Sequence, residues 1–261
     1  MGKKRLAIIG SGISGLSAAF FLSKKYNVSL FEKNNTLGGH TRTVPIFEQK
    51  KKILVDTGFI VFNEKNYQDF TSFLNCLNVN AENSEMSFSV SNINKNIEYG
   101  GSNLNSLFSQ RKNILSIKFI FFIFEIFKLY RICKKLSLNK DLIDNISIEE
   151  FLITNNFSKF IRDYHIYPMI SSIWSSNSEK AKQFPLKSFI EFFSNHGLFN
   201  IISRPQWKYI KNGSSSYIKE LMNKNMFSYE TNFKIKTIKR ENDNIEILSD
   251  HKTYKFDKLV L

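Results

Sequence analysis

The chain has 261 residues, 42% of them hydrophobic and 23% charged, and a formal net charge of +14. This length suffices for one large domain or two modest ones, and the composition excludes a wholly disordered chain. The charge comes mainly from Lys, which, like the abundant Ile, Asn and Phe, has A/T-rich codons, so codon bias alone accounts for it. Nucleic-acid sites usually show a basic stripe with bidentate Arg, and we therefore predict no nucleic-acid partner.

The start of the chain does not read as a signal peptide, because only four apolar residues separate its basic residues from Gly10. Cys76 and Cys133 lie far apart and form no CxxC motif. The sequence therefore predicts neither a disulfide framework nor a metal site. It predicts a cytoplasmic protein.

The first hundred residues predict an α/β unit. A strand over 4–9 is followed by a Gly-rich turn, an apolar helix through Leu22 and a second strand that ends at Glu32. This strand–turn–helix–strand order opens a doubly wound α/β domain. Residues 53–55 predict a further strand, and residues 87–101 predict a hairpin.

The middle of the chain, residues 104–200, predicts helices punctuated by prolines, with a capping box from Ser147 to Glu150. An α/β pattern then returns. It comprises a helix over 216–223 and strands over 233–240, 244–248, 252–255 and 258–261. We predict a discontinuous Rossmann-like domain formed by residues 1–80 and 206–261, with residues 81–205 as an inserted, mainly helical substrate domain.

The most hydrophobic stretch runs from Ile114 to Cys133 and contains many Phe residues. Charged residues at 118, 125, 128 and 131 interrupt it, which disfavours a membrane-spanning helix. Two alternatives remain open: a mostly buried helix, or a helix that lies against lipid or an oily ligand.

The turn after the first strand has the pattern GxGxxG, from Gly10 to Gly15. Gly10 permits the tight turn, Gly12 lets the backbone approach a pyrophosphate, and Gly15 lets the helix pack closely on the strand. Glu32, at the end of the second strand, can accept hydrogen bonds from ribose hydroxyls. The pattern therefore predicts a dinucleotide, bound at the positive end of a helix dipole.

NAD and FAD both use this pattern, but the paired glycines at 38 and 39 favour FAD because they extend the backbone surface along the dinucleotide. The residues that we predict to bind the cofactor in this first region are Gly10, Ser11, Gly12, Ser14, Gly15, Glu32, Lys33, Gly38, Gly39, His40, Thr41 and Arg42.

From Gly10 to Thr43 the chain resembles the flavin-containing amine oxidase superfamily, whose pattern is GxGxxGLxxAxxLxxxxxVxVxE followed by GGRxxT. His40 departs from it, since it stands where the superfamily usually has Arg. Further segments resemble a bacterial subfamily of predicted NAD/FAD-binding proteins, similar to the flavin domain of plant cyclopropane fatty acid synthases. These segments are residues 56–63, 84–89, 101–104, 173–175, 195–198 and 204–207.

The resemblance implies roles for several residues. Thr57, Gly58 and Phe59 fall where the superfamily backbone passes the flavin, and Ile235 matches the apolar residue at the adenine end. It also implies an FAD-dependent oxidoreductase or desaturase that acts on a hydrophobic, acyl-lipid substrate. Further implications are a methyltransferase-type pathway partner and, because the relatives are longer, that this chain is a fragment. The Phe-rich segment 119–127, independently of the resemblance, predicts a lining for an oily channel or contact with the membrane surface.

Two other functions stay open: a flavin amine oxidase, and a catalytically silent nucleotide-binding module. No residue is assigned as catalytic, because hydride transfer to flavin often needs no strong protein base. We expect packing or hydrogen-bonding roles for His165, His196, Trp174 and Trp207, and we expect Asp56 to order its loop.

Overall fold

A computed structural model describes residues 2–139, 145–200, 204–241, 244–250 and 252–261. Contacts divide the chain into two compact units, Met1–Ser84 with Gln206–Leu261, and Glu85–Pro205. This division is based only on contacts between residues. The assignment of the predicted domains to cofactor and substrate binding stays a prediction.

The strands are β1 (Arg5–Ile9), β2 (Asn27–Phe31), β3 (Thr43–Glu48), β4 (Lys51–Asp56), β5 (Phe62–Asn63), β6 (Ala81–Ser84), β7 (Ser89–Asn92), β8 (Ile97–Gly100), β9 (Trp207–Ile210), β10 (Ser228–Glu230), β11 (Ile235–Glu241), β12 (Asn244–Ser249), β13 (Thr253–Phe256) and β14 (Lys258–Val260). The helices are α1 (Ile13–Leu22), α2 (Gln68–Leu77), α3 (Leu104–Leu107), α4 (Ile117–Leu138), α5 (Ile148–Thr154), α6 (Lys159–Ile161), α7 (Tyr167–Trp174), α8 (Ser178–Lys182), α9 (Leu186–Asn195) and α10 (Ser216–Asn223).

A parallel sheet with the strand order β10-β2-β1-β14 forms the centre of the first unit. Leu6, Ala7 and Ile8 of β1 are almost completely buried, as expected for a strand covered on both faces of a parallel sheet. The Rossmann-like opening that the sequence predicts is therefore confirmed.

Smaller antiparallel sheets complete the first unit: the hairpin β3–β4, the sheet β5-β9-β6 and the meander β11-β12-β13. The predicted helix over 216–223 and the predicted strands after residue 233 are all present. The elements that the sequence did not predict are β3, β5, β6, β9, β10 and α2.

The second unit contains the predicted hairpin, β7–β8, followed by helices. The capping box is confirmed, since the Ser147 side chain accepts from the Glu150 amide while the Glu150 side chain accepts from Ser147. Pro185 occupies the N-cap of α9, and Pro168 is the second residue of α7, which directly continues a π-helical turn over Arg162–Ile166. The core of this unit is centred on Phe122, Leu129, Ile148, Leu152, Phe189 and Phe193.

The Phe-rich stretch forms α4, and the helix has one buried and one exposed face. Phe119, Phe122 and Leu129 are buried, whereas Phe121, Phe124 and Phe127 are exposed. The prediction of a mostly buried helix is therefore correct for only one face. Among the described helices, none is long and apolar enough to cross a membrane.

A buried histidine is held between two tyrosines in the second unit. The Tyr99 hydroxyl donates its single hydrogen to the Tyr164 carbonyl at 2.8 Å. Its oxygen therefore accepts from the Nδ1–H of His165 at 2.9 Å. The Tyr130 hydroxyl then donates to Nε2 at 3.4 Å. Burial lowers the pKa of His165 to about 3, so the folded protein holds this ring neutral, as expected for a structural histidine.

The neutral His165 predicts a loss of stability in mild acid. Its pKa is about 6.5 when the chain is unfolded, so below that pH only the unfolded chain gains the proton. The unfolding free energy should then fall by about 1.4 kcal/mol per pH unit on account of this group. Urea denaturation followed by circular dichroism between pH 7 and pH 5 measures the slope.

His165→Gln should flatten that slope, whereas His40→Gln, at an exposed histidine, should leave it unchanged. Equal slopes for the wild type and His165→Gln would contradict the assignment of a neutral, buried ring.

Candidate dinucleotide-binding site

The turn between β1 and α1 can be built only with glycine at two positions. Gly10 has φ +90°, and its N–H donates to the Phe31 carbonyl at 2.8 Å, which ties the turn to β2. A Cβ on Gly15 would lie 1.9 Å from the Gly10 carbonyl oxygen. The first turn of α1 therefore packs directly on the end of β1, as the GxGxxG pattern predicts.

Gly12 occupies the N-cap of α1 and leaves the start of the helix open. It has φ −66° and provides no side-chain hydrogen bond, and a Cβ added there would meet no atom within 4 Å. The N–H groups of a first helical turn have no partner within the helix, and the helix dipole makes this end positive. This combination of space, donors and positive potential fits a phosphate group.

Glu32 follows β2 and contacts the turn. Its Oε2 accepts from the Ser11 N–H at 2.9 Å and from the Ser11 hydroxyl at 2.6 Å, and its Oε1 accepts from the Asn34 N–H at 2.9 Å. Burial raises the pKa of Glu32, but the hydrogen bonds from Ser11 and Asn34 outweigh it, so this pKa lies below its usual value. The carboxylate is therefore ionised at neutral pH, and it retains acceptor capacity beyond these three bonds.

The paired glycines bring the next segment against the turn. Gly38 has φ +119°, and its N–H donates to the Ser11 carbonyl at 3.0 Å and to the Ser11 hydroxyl at 3.1 Å. A Cβ on Gly39 would lie 2.9 Å from the Cα of Gly12. The two glycines thus place peptide groups, rather than side chains, beside the open start of α1.

Two further predicted positions lie beside this segment. A Cβ on Gly58 would lie 1.9 Å from the His40 carbonyl oxygen, and the Thr57 N–H donates to the Arg42 carbonyl at 2.9 Å. Phe59, by contrast, packs its ring on Phe62 and Phe70. The structure therefore places Thr57 and Gly58 next to residues 40–42, while Phe59 belongs to the core of the first unit.

A groove of 720 Å³ borders the same segment. Gly39, Thr41 and Arg42 line it together with Ser215 and Lys219 of α10. The Thr41 hydroxyl is also hydrogen-bonded to the buried Tyr217 at 2.9 Å. The groove therefore combines cations and hydroxyl groups with predicted cofactor-binding positions.

Ser14 lies in the first turn of α1 with its side chain exposed, and Lys33 is also exposed. Ile235 lies further from the turn. Ile235 packs in the apolar cluster that contains Phe31 and Phe233, and the Phe233 N–H donates to the Glu32 carbonyl at 2.9 Å. Ile235 thus lies two residues from a backbone contact with Glu32.

Sequence reasoning did not foresee that Asp56 binds the start of α10. Its carboxylate accepts from the Thr43 hydroxyl at 2.5 Å and from the Ser214 N–H and hydroxyl at 2.8–3.0 Å. The Ser215 N–H in turn donates to the Thr43 hydroxyl at 2.9 Å. A cluster of Ser residues just after Gly213 was the available signal, and the contacts agree with the expected loop-ordering role of Asp56.

The other singled-out residues of the second unit make packing contacts. His196 stacks on Phe192 with ring centroids 4.1 Å apart, and its Nδ1 lies 2.9 Å from the Phe192 carbonyl oxygen. Trp174 packs on Phe184 and Phe192. Across the described parts of the chain, no group of three or more His, Cys, Asp or Glu side chains could hold a metal ion.

Comparisons with known proteins agree with this geometry. Residues 8–77 match the family described as NAD(P)-binding Rossmann-like domain. A 1-hydroxycarotenoid 3,4-desaturase from a Flavobacterium species is 52% identical over 44 residues, which cover 16% of this chain and 9% of the desaturase.

Two solved structures show the fold over nearly the whole chain. A variant of putrescine oxidase matches with a TM-score of 0.73 and 17% identity, over 99% of this chain and 57% of the oxidase. A fatty acid isomerase from P. acnes that produces CLA matches with a TM-score of 0.66 and 15% identity, over 99% of this chain and 58% of the isomerase.

The chain spans less than two thirds of the length of these relatives. Their names are those of enzymes that act on amines, carotenoids or fatty acids. Residues 8–77 are therefore similar to a Rossmann-like domain, and over nearly its whole length the chain shares the α/β fold seen in putrescine oxidase.

Proposed function

We propose that this protein is an FAD-dependent oxidoreductase that takes hydride from a hydrophobic, acyl-lipid substrate. The observation that carries the proposal is the open start of α1 at Gly12, with the ionised Glu32 and the paired glycines on either side of the same turn. These are the groups that a dinucleotide needs for its pyrophosphate and its ribose.

The residues around the turn before α1 can be assigned to separate parts of FAD. The N–H groups of the first turn of α1 would hold the pyrophosphate, and Glu32 would accept from a ribose hydroxyl while Ser11 keeps the carboxylate in place. The packing of Gly39 on Gly12 extends the peptide surface past the turn, which favours FAD over NAD. FAD, when bound, supplies the hydride acceptor, and the protein supplies binding and orientation.

The proposed substrate class has support from the relatives. The desaturase and the fatty acid isomerase are named for acyl or polyene substrates. The likeness to putrescine oxidase favours a second candidate, a flavin amine oxidase. Hydride transfer from a C–H bond to the flavin is common to both, so only the substrate distinguishes them.

Gly12→Ser should lower the affinity for FAD without lowering the stability of the fold. Gly12 has the extended backbone of an N-cap, so a serine there would accept from the first-turn amides and keep or slightly raise the melting temperature. The same side chain would occupy the space and the donors that the pyrophosphate requires. Losing one such charged hydrogen bond should weaken FAD binding roughly 10-fold or more. Titration of the apoprotein with FAD, followed by flavin fluorescence, measures the affinity.

Gly2→Ser is the matched control, because a Cβ at Gly2 also meets no atom within 4 Å. It should change neither quantity. Equal FAD affinity for the wild type and Gly12→Ser, or no FAD binding by the wild type, would overturn the assignment of this site.

The substrate class can be tested on the FAD-loaded protein without oxygen. Unsaturated phospholipid or fatty acid in detergent micelles should bleach the visible absorbance of the flavin, and putrescine should not. The reverse result would establish the amine oxidase, and a lack of bleaching by any compound of either class would favour the silent module.

A further inference from the structure

The exposed face of α4 changes character along its length. Its first half, with the turn before it, presents large apolar side chains, and its second half presents cations. We call this face the α4 surface; it comprises Ile114, Leu115, Ile117, Phe121, Phe124, Phe127, Lys128, Arg131, Lys134 and Lys135.

The side chains of the apolar half are largely exposed to solvent and do not pack in the core of the unit. Ile117 is 88% exposed, Phe124 is 65% exposed and Phe121 is 57% exposed. The opposite face of the helix already packs in the core of the unit, through Phe119, Phe122, Leu129 and Cys133. The fold therefore holds α4 by one face and leaves an apolar patch, which in soluble proteins usually marks an interaction site.

The charge of α4 is positive on the outside. Its acidic residue, Glu125, is only 4% exposed, and its carboxylate binds the Ser158 N–H at 2.6 Å and the Ser158 hydroxyl at 2.5 Å. The contacts of the cations are with uncharged groups: Lys128 donates to the Asn155 carbonyl, and Lys134 donates to the Asn200 side chain. These contacts leave the positive charge available to an anionic partner.

We propose that the α4 surface binds an anionic lipid membrane, with the Phe-rich half entering the headgroup region and the basic half contacting lipid phosphates. An amphipathic helix that carries aromatic residues beside Lys and Arg binds in this way, through buried apolar area and attraction to anionic lipids. The helix lies along the membrane rather than through it, in agreement with the absence of a spanning helix among the described residues. The proposal does not rest on the flavin site.

Vesicle sedimentation tests the surface directly. The full chain should bind vesicles of phosphatidylglycerol and phosphatidylcholine in equal parts, bind pure phosphatidylcholine much more weakly, and lose affinity as salt is added. Arg131→Gln with Lys135→Gln should weaken binding roughly 30-fold, from the usual contribution of each cation near an anionic surface. Phe121→Gln with Phe124→Gln should weaken it roughly 10-fold or more while the melting temperature stays the same, because both rings are exposed.

The β3–β4 hairpin offers matched controls. Phe47→Gln removes a ring that is 74% exposed, and Lys51→Gln with Lys52→Gln removes two exposed cations. These variants should bind the anionic vesicles like the wild type or, for the lysine pair, slightly more weakly through the loss of net charge.

Three results would overturn the proposal. The first is equal binding to neutral and anionic vesicles, and the second is equal losses in the control and α4 variants. The third is self-association in sedimentation velocity that Phe121→Gln with Phe124→Gln abolishes without lipid, which would assign the surface to a second copy of the chain.

Discussion

The candidate site depends on backbone segments that approach more closely than any side chain would allow. A Cβ on Gly15 would collide with the Gly10 carbonyl, a Cβ on Gly39 with the Cα of Gly12, and a Cβ on Gly58 with the His40 carbonyl. These contacts bring the turn before α1, the segment after Glu32 and the segment after β4 to within backbone distance of one another. A surface made of peptide groups presents N–H donors at fixed positions, and it loses no side-chain entropy when a ligand binds.

Two carboxylates hold these segments in place. Glu32 binds both the amide and the hydroxyl of Ser11, and Asp56 binds Ser214, 158 positions further along the chain. Hydrogen bonds from N–H and O–H groups to a carboxylate are among the stronger ones in proteins, and those to Glu32 hold its pKa below the usual value. Through these contacts both side chains position the loops around the turn.

Local signals predicted most elements of the fold. The GxGxxG turn, the capping box of α5 and the helix α10 are each specified by residues close together in sequence, and each lies where it was expected. The short strands β5, β6, β9 and β10 were missed because their stability comes from pairing with strands that are distant in sequence: β5 and β6 pair with β9, and β10 pairs with β2. The contact of Ser11 with Glu32 was missed for a related reason, since neither residue type indicates that one will satisfy the other. The predicted site residues remain a prediction: the structure brings those of residues 10–15, Glu32 and the paired glycines to one turn, whereas Phe59 and Ile235 pack in apolar clusters.

An A/T-rich codon bias would account for the 26 Phe of the chain, but it would not account for where they lie. Phe119 and Phe121 are two residues apart, yet the period of the helix buries one and exposes the other. Exposure alone does not indicate a membrane surface either. Phe47 is more exposed than any Phe on α4, but it is followed at once by an acid, Glu48, which lies opposite Lys51 in the hairpin register. What distinguishes α4 is that its exposed rings are followed, on the same face, by cations, while its acid is turned inward. An anionic lipid surface favours this order of apolar and basic residues, because it accepts both halves of the helix at once.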